Sequence, residues 1–392
     1  MHVAILPSWY PATEDDLNGS FFREQAIAIA KQNIQIGVIS PCMRSMRHWK
    51  SVFTGSYQMQ AELDNGVQTY RSHGMAWFPR IHRLSRWHWI RHGRLLFERY
   101  LDDQGMPDLI HVHSLLNAGV LALELHLKHR IPYIVTEHST FFARGLVSTD
   151  EIALAGEVAI QANRRFAVSL PFCDLLINQL SNEVGQWEPM PNIVNQAFLD
   201  HSYQQHTYKN QSLRFLTIAL LTKTKATTNL VQAFAQRFAG QDEMILEIGG
   251  VGPELPHLEK MVEDLGIQSQ VHFLGELTRL EVIRAMAAAN VFVLPSHHET
   301  FGVVVIEALA LGKPVIATRC GGPESIIESG DGLLVPTNNI EALAQAMAEI
   351  SSHMDQYDPV DIRERCRIRF GEEAIVSRLI EVYRDVSKVP VC

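Results

Sequence analysis

Cysteine is scarce in this chain: five residues in 392 (Cys42, Cys173, Cys320, Cys366 and Cys392), with no Cys-x-x-Cys pair. That excludes a disulfide-stapled scaffold and a paired zinc site, and it points to free thiols in a reducing compartment. Long apolar runs are missing too. Nothing approaches the ~20 residues a bilayer span needs; the nearest, from Phe301 to Gly312, is broken by Glu307. The start, Met1-His2-Val3-Ala4-Ile5-Leu6-Pro7, has no basic flank and too short an apolar run for a signal peptide. The expectation is a soluble, cytoplasmic protein. There is no Asp-x-Asp, a common way to hold a divalent ion, so no metal site is expected. Positive charge is in deficit, 34 Lys and Arg against 43 Asp and Glu for a net charge of -9, which argues against nucleic acid as a partner.

What is present is an ordinary globular composition, 46% hydrophobic and 20% charged. At roughly 100–200 residues per domain, the length predicts about two domains. Short apolar runs alternate with amphipathic stretches. Val3-Ala4-Ile5-Leu6, Ile34 to Ile39, Leu109 to Val112 and Tyr133 to Val135 read as strands, and Asp174-Leu175-Leu176-Ile177 as a further one after a long helical stretch. Phe21 to Lys31 and Ala118 to Lys128 read as helices. The rhythm restarts with strands at 215–219, 244–248, 271–274, 291–294, 315–317 and 333–335, separated by helices at 229–238, 254–265, 280–288 and 303–311, with another at 340–350. Strands apolar on both faces that take turns with helices predict parallel sheets covered on both sides. The fold class expected is α/β, two doubly wound Rossmann-like domains facing a cleft, with ligands at the carboxyl ends of the strands. The boundaries are an N-terminal domain over 1–195, a linker over 196–211, a C-terminal domain over 212–371, and a last helix from about 372 to 392 crossing back.

The most informative segment runs from His298 to Ala317. Glu299 lies in a polar loop after a strand ending at Leu294-Pro295; Gly302 opens a helix that Gly312 and Pro314 close. Free amides and the positive dipole end at such a helix start suit a phosphate. Glu307, about one turn in, could accept both hydroxyls of a ribose.

With Val291-Phe292-Val293-Leu294-Pro295-Ser296 before it and Cys320-Gly321-Gly322-Pro323-Glu324-Ser325-Ile326 after it, this stretch resembles the Glu-x7-Glu signature of retaining nucleotide-sugar glycosyltransferases of the GT-B fold, glycosyltransferase family 4. Gly330 to Val335, Gly250-Val251-Gly252-Pro253, Val271 to Gly275, Pro7 to Pro11 and Gly19 to Gln25 continue the likeness over most of the chain. The resemblance implies roles. Glu299 sits by the donor sugar ring and Glu307 binds the ribose. The amides of Phe301, Gly302 and Val303 meet sugar hydroxyls and phosphate, and Lys225 neutralises the leaving diphosphate. Gly19 lets backbone approach the donor phosphates, and His138 faces the reacting sugar. His113 is read as structural. Two departures stand out: Ala219-Leu220-Leu221 replaces the usual Gly-Arg-Leu, and Ala226 follows Lys225 where a glycine is usual.

The implied reaction is hexosyl transfer with retention from a nucleotide-diphosphate sugar, UDP before GDP, to a lipid-linked or polysaccharide glycan acceptor, with no cofactor beyond the nucleotide-sugar. Competing readings are a non-catalytic sugar- or lipid-binding protein on this fold, a nucleotide-sugar epimerase and an NAD-dependent dehydrogenase. The last lacks a complete Gly-x-Gly-x-x-Gly, since Leu255 stands at its third glycine. A further feature is a basic stretch. From Cys42 to Tyr100 there are ten basic residues against three acidic, and Arg71 to Tyr100 holds seven arginines with Trp77, Trp87 and Trp89. Arginine interleaved with tryptophan suits an anionic membrane surface, which would make the protein peripheral on the inner membrane face.

Overall fold

The computed structural model describes residues 1–11, 16, 19–44, 59–78, 81–201 and 212–388. The chain divides into two compact units: Met1–Ile193 together with the segment from Glu372, and Val194–Gly371.

In the first unit β1 (His2–Pro7), β2 (Gln35–Arg44), β3 (Met59–Asp64), β4 (Val67–Met75), β5 (Leu109–His113), β6 (Tyr133–Glu137), β7 (Arg164–Ala167) and β8 (Glu188–Pro189) form one sheet. Its order is β3-β4-β2-β1-β5-β6-β7-β8. All pairings are parallel except the β3/β4 hairpin at one edge. β1 pairs with both β2 and β5, which makes it an inner strand, and all six of its residues are buried. Its core is completed by the helix Glu372–Ser387, whose Ile375, Val376, Leu379 and Tyr383 pack with Val3, Ile5, Phe22 and Val38.

The strand expected at Asp174 to Ile177 is instead inside the helix Leu170–Gln179. A short apolar run cannot by itself distinguish strand from helix. Here Ser169 decides it: its Oγ accepts the Phe172 N–H at 3.3 Å, with Pro171 in the first turn. The real strand, β7, is masked in the sequence by Arg164 and Arg165. Arg164 pairs with Glu188 at 2.7 Å, and Arg165 donates to the Ala159 carbonyl at 2.5 Å.

In the second unit β9 (Leu213–Ile218), β10 (Met244–Gly249), β11 (Val271–Gly275), β12 (Val291–Leu294), β13 (Val315–Thr318) and β14 (Gly332–Val335) form a wholly parallel sheet of order β11-β10-β9-β12-β13-β14. The order reverses direction between β9 and β12, the kind of switch point where such sheets take ligands. Phe215, Phe234 and Phe238 form an aromatic cluster in its core. Within the expected linker, Gln196–Asp200 is a short helix capped by Asn195, with Phe198 buried; 202–211 lie outside the described residues.

The basic stretch does not present its charge as the sequence suggests. Arg71 is buried against Glu62 at 2.6 Å and lies over the Tyr10 ring. Arg86 pairs with Glu151 at 2.5 Å, Arg94 with Glu124 at 2.8 Å and Arg99 with Asp103 at 2.8 Å. Trp89 is in the core. Arg80, Arg47 and Lys50 lie outside the described residues. Among the described residues no helix is long and apolar enough to cross a membrane.

Candidate active site

The carboxyl ends of β9 and β12 bring Lys225 and Glu299 together. After β9 the chain makes a tight turn, Lys223–Lys225, and enters the helix Thr227–Phe238 through Ala226, which adopts a left-handed conformation (φ 48°, ψ 35°). After β12, Ser296 is fully buried, and its hydroxyl donates to Glu299 Oε1 at 2.8 Å. Lys225 Nζ approaches the same oxygen at 2.6 Å. The two loops are tied by the His297 N–H, which donates to the Thr224 carbonyl at 2.8 Å. Glu299 is further held by its backbone: its N–H donates to the Cys320 carbonyl, and its carbonyl accepts the Gly322 N–H at 2.7 Å. A Cβ at Gly321 would stand 2.6 Å from that carbonyl, and its φ of 118° is one an L side chain rarely adopts, so glycine is required there.

Gly302 (φ 104°) opens the helix Val303–Ala310, and no side chain caps it. The Val305 N–H is taken by the Gly302 carbonyl at 2.9 Å, and no capping side chain competes for the amides before it. The Phe301 side chain is core, packed edge-on against Phe370, so what Phe301 offers a ligand is backbone. Val303 is half-buried at the start of the helix. Glu307, 4% exposed, points its carboxylate at Arg279, whose Nη1 lies 2.5 Å from Oε1. Leu220, in the place where the resemblance expects an arginine, is exposed, and so is Lys223.

The first unit holds the other two expected residues. Gly19 (φ 78°) starts the helix Ser20–Ala30, and a Cβ there would stand 2.9 Å from the Trp9 ring. That helix delivers Phe21 and Phe22 onto His138, ring centroids 5.4 and 4.8 Å away. His138 follows β6 directly, and its Nε2 shares a hydrogen bond of 3.0 Å with Nδ1 of His113, at the end of β5. Beneath them the fully buried Glu137 accepts the N–H groups of Leu115, His138 and Ser139 at 2.6–2.7 Å. Burial pushes the Glu137 carboxyl above its ordinary value, against the pull of those amides. Burial lowers His113 and His138 well below the usual imidazole range and His111 to about 3, so this cluster is neutral at pH 7. A cavity of about 540 Å³ opens beside it, lined by Trp9, Ser114, Asn117, Ser139 and Phe141 among others.

Arg279, Ser296 and Glu137 were not singled out by sequence, and His113 was read as structural. His111-Val112-His113 held the one available signal, two histidines on the same face of a buried strand. No group of His, Cys, Asp and Glu among the described residues is arranged to hold a metal ion.

Residues 201–367 match the model of the family described as glycosyl transferases group 1, and residues 21–177 that of a glycosyl transferase 4-like domain. A D-inositol 3-phosphate glycosyltransferase of Corynebacterium glutamicum is 37% identical over 293 residues, 68% of this chain and 67% of that one. The chain belongs to the group 1 glycosyl transferases. Against a second D-inositol 3-phosphate glycosyltransferase, from Corynebacterium urealyticum, it is 34% identical over 44% of its own length and spans 43% of that relative. Among solved structures, a sucrose-phosphate synthase from Thermosynechococcus elongatus superposes with a TM-score of 0.78 at 21% identity, covering 98% of this chain and 99% of that one. Anabaena HepE in complex with UDP does so with 0.73 at 17%, covering 98% and 100%. The fold is GT-B, as the family's two parallel-sheet units require.

Proposed function

We propose that this protein is a retaining glycosyltransferase that moves a hexosyl group from a nucleotide-diphosphate sugar, UDP before GDP, to a hydroxyl of a lipid-linked or polysaccharide glycan precursor. The observation that carries the reading is the pair Glu299 and Glu307 on either side of an uncapped helix start, each matched by a cation from another element, Lys225 and Arg279. The backbone amides of Phe301, Gly302 and Val303, at the helix start, meet sugar hydroxyls and phosphate, Glu307 takes the ribose hydroxyls and Glu299 the sugar ring. UDP is favoured because HepE, of the same fold, was solved with it.

In the proposed step the acceptor oxygen attacks the anomeric carbon on the face from which the diphosphate departs. The bond from that carbon to the phosphate oxygen breaks, and the acceptor proton passes to the departing phosphate. Lys225 and the helix amides stabilise the charge that develops, the contribution that dominates in such sites. No metal is needed, and activity should survive EDTA.

The test is a thermal-shift panel of UDP, GDP and ADP with their sugars, followed by nucleotide release and the anomeric configuration of the product. A ligand at about 100 times its dissociation constant stabilises by about 2.7 kcal/mol. If no nucleotide stabilises the protein or is released, the catalytic reading is wrong and a non-catalytic binding protein on this fold takes its place.

A second proposal concerns location. Ile81, Leu84, Trp87 and Leu95 are exposed along the first unit's helix His82–Gln104 and its N-cap, and the exposed Arg83 and Arg91 form no ion pair with a described residue. We propose that this stripe rests on an anionic membrane surface, each cation contributing about 1 kcal/mol. Flotation with anionic liposomes that is lost on reversing Arg83 and Arg91 supports it; indifference of the parent protein to such liposomes refutes it.

A further inference from the structure

Glu307 is the one charged residue of the helix Val303–Ala310, and it is almost wholly buried. A carboxylate in that position needs a cation, since an unpaired buried charge costs several kcal/mol. The partner is Arg279, 28 residues earlier, at the start of the helix Arg279–Ala288. Three contacts fix where that guanidinium stands. Its helix start is locked by a capping box: the Thr278 N–H donates to Glu281 at 2.8 Å and the Glu281 N–H to Thr278 Oγ1 at 3.4 Å. Its Nη1 holds Glu307 Oε1 at 2.5 Å. Its other face lies over the fully buried Phe198 ring, 5.7 Å from the centroid. A planar cation between a carboxylate and an aromatic face has little freedom, which a lysine ammonium could not reproduce.

We propose that Arg279 is the positioning residue through which this site selects a ribonucleotide. It balances the charge of the Glu307 carboxylate and holds it in one orientation, the orientation in which it would meet the hydroxyls of the ribose. It also cancels one of two acidic charges beside the place where a diphosphate must sit. The inference rests on the reading of Glu307 as the ribose-binding carboxylate.

The test is calorimetric, with UDP and 2′,3′-dideoxy-UDP as probes, or the matching pair for whichever base the panel selects. The parent protein should prefer the ribonucleotide. Arg279→Met should weaken UDP by about tenfold or more, the scale of one charged hydrogen bond. It should leave the dideoxy form within about twofold of the parent value, a difference inside the error of additivity. Arg279→Lys should fall between Arg279→Met and the parent protein. Combining Arg279→Met with Glu307→Gln should weaken UDP no further than Glu307→Gln alone, because residues that act as one unit are non-additive. Melting temperatures check that each variant folds; Arg279→Lys keeps the charge and carries the test if Arg279→Met does not fold. Equal weakening of both probes would make Arg279 merely structural. Unchanged or tighter UDP binding by Arg279→Met would overturn the proposal as well. If Glu307→Gln leaves the preference for ribose intact, or if no nucleotide binds the parent protein, the reading of the site itself fails.

Discussion

Lys225 Nζ lies 2.6 Å from Oε1 of Glu299, although the two residues are 74 apart in the chain. The lysine expected to meet a leaving diphosphate thus rests on the acid expected to meet the sugar. A donor that takes the lysine's charge must share it with Glu299, and the pair should act as a unit. Lys225→Met is expected to lower kcat by about 10²–10³, the loss seen when one preorganised donor to a developing negative charge is removed. Donor affinity should fall much less. The measurement is steady-state kinetics beside nucleotide calorimetry; equal losses in both would mean that Lys225 binds the ground state and transition state alike.

Glu299→Ala and His138→Ala should also reduce turnover far more than they weaken nucleotide binding, because their partners are the sugar and the reacting centre. Glu307→Gln should do the reverse, costing about 1.5–3 kcal/mol of nucleotide affinity. A set of three variants with the same ratio of the two effects would contradict the separate assignments.

Stability should depend on pH through the buried histidines. His111, His113 and His138 have native values depressed by burial, far below the roughly 6.5 of an unfolded chain. Below pH 6.5 the unfolded chain therefore binds protons that the native cluster refuses. The stabilisation is fully present above pH 6.5 and is lost as pH falls toward the native values. Each such histidine contributes up to about 1.4 kcal/mol per pH unit. His2, His73, His92 and His297 shift the same way, burial being the first cause in each. Glu137, raised by burial, runs opposite. Melting temperature measured from pH 8 to pH 5 should fall steadily below 6.5, and His111→Gln should flatten the slope by about one proton. A level profile would mean that the cluster is hydrated and chargeable.

Ala226 holds a conformation in which its methyl is strained, at φ 48°. A left-handed L residue costs roughly 1–2 kcal/mol, and glycine offsets part of that gain through its freer unfolded chain. Ala226→Gly should therefore raise stability by about 0.5–1 kcal/mol without altering nucleotide affinity, read by denaturant titration. A loss of stability would show that the buried methyl packs better than its backbone suffers.

The sheets were legible because parallel strands buried on both faces announce themselves as apolar runs; all six strands of the second unit fall where the runs lie, within two residues at either end. Glu299, Glu307 and Gly302 were legible because one loop and one helix start hold them in a single continuous segment. Arg279 was not, since its partner is 28 residues away on another helix and nothing local marks it. Arg86 and Arg94 were not legible as paired for the same reason: Arg86 meets Glu151, 65 positions on, and Arg94 meets Glu124, 30 on. A count of charge along the chain cannot see neutralisation by acids that arrive through the fold. β7 failed differently, because two of its four residues are arginines, half-buried, whose heads reach a carbonyl and an acid.

The helix Glu372–Ser387 sets an order of assembly. Tyr383 donates to or accepts from His111 at 2.6 Å and is wholly enclosed, in the same core as β1. During synthesis residues 1–193 are made well before these residues exist, so the core they share cannot be completed until then. Val194–Gly371 is contiguous, and it can close as soon as its last turn is made. The half of the molecule that is translated first is thus the half whose core is completed last.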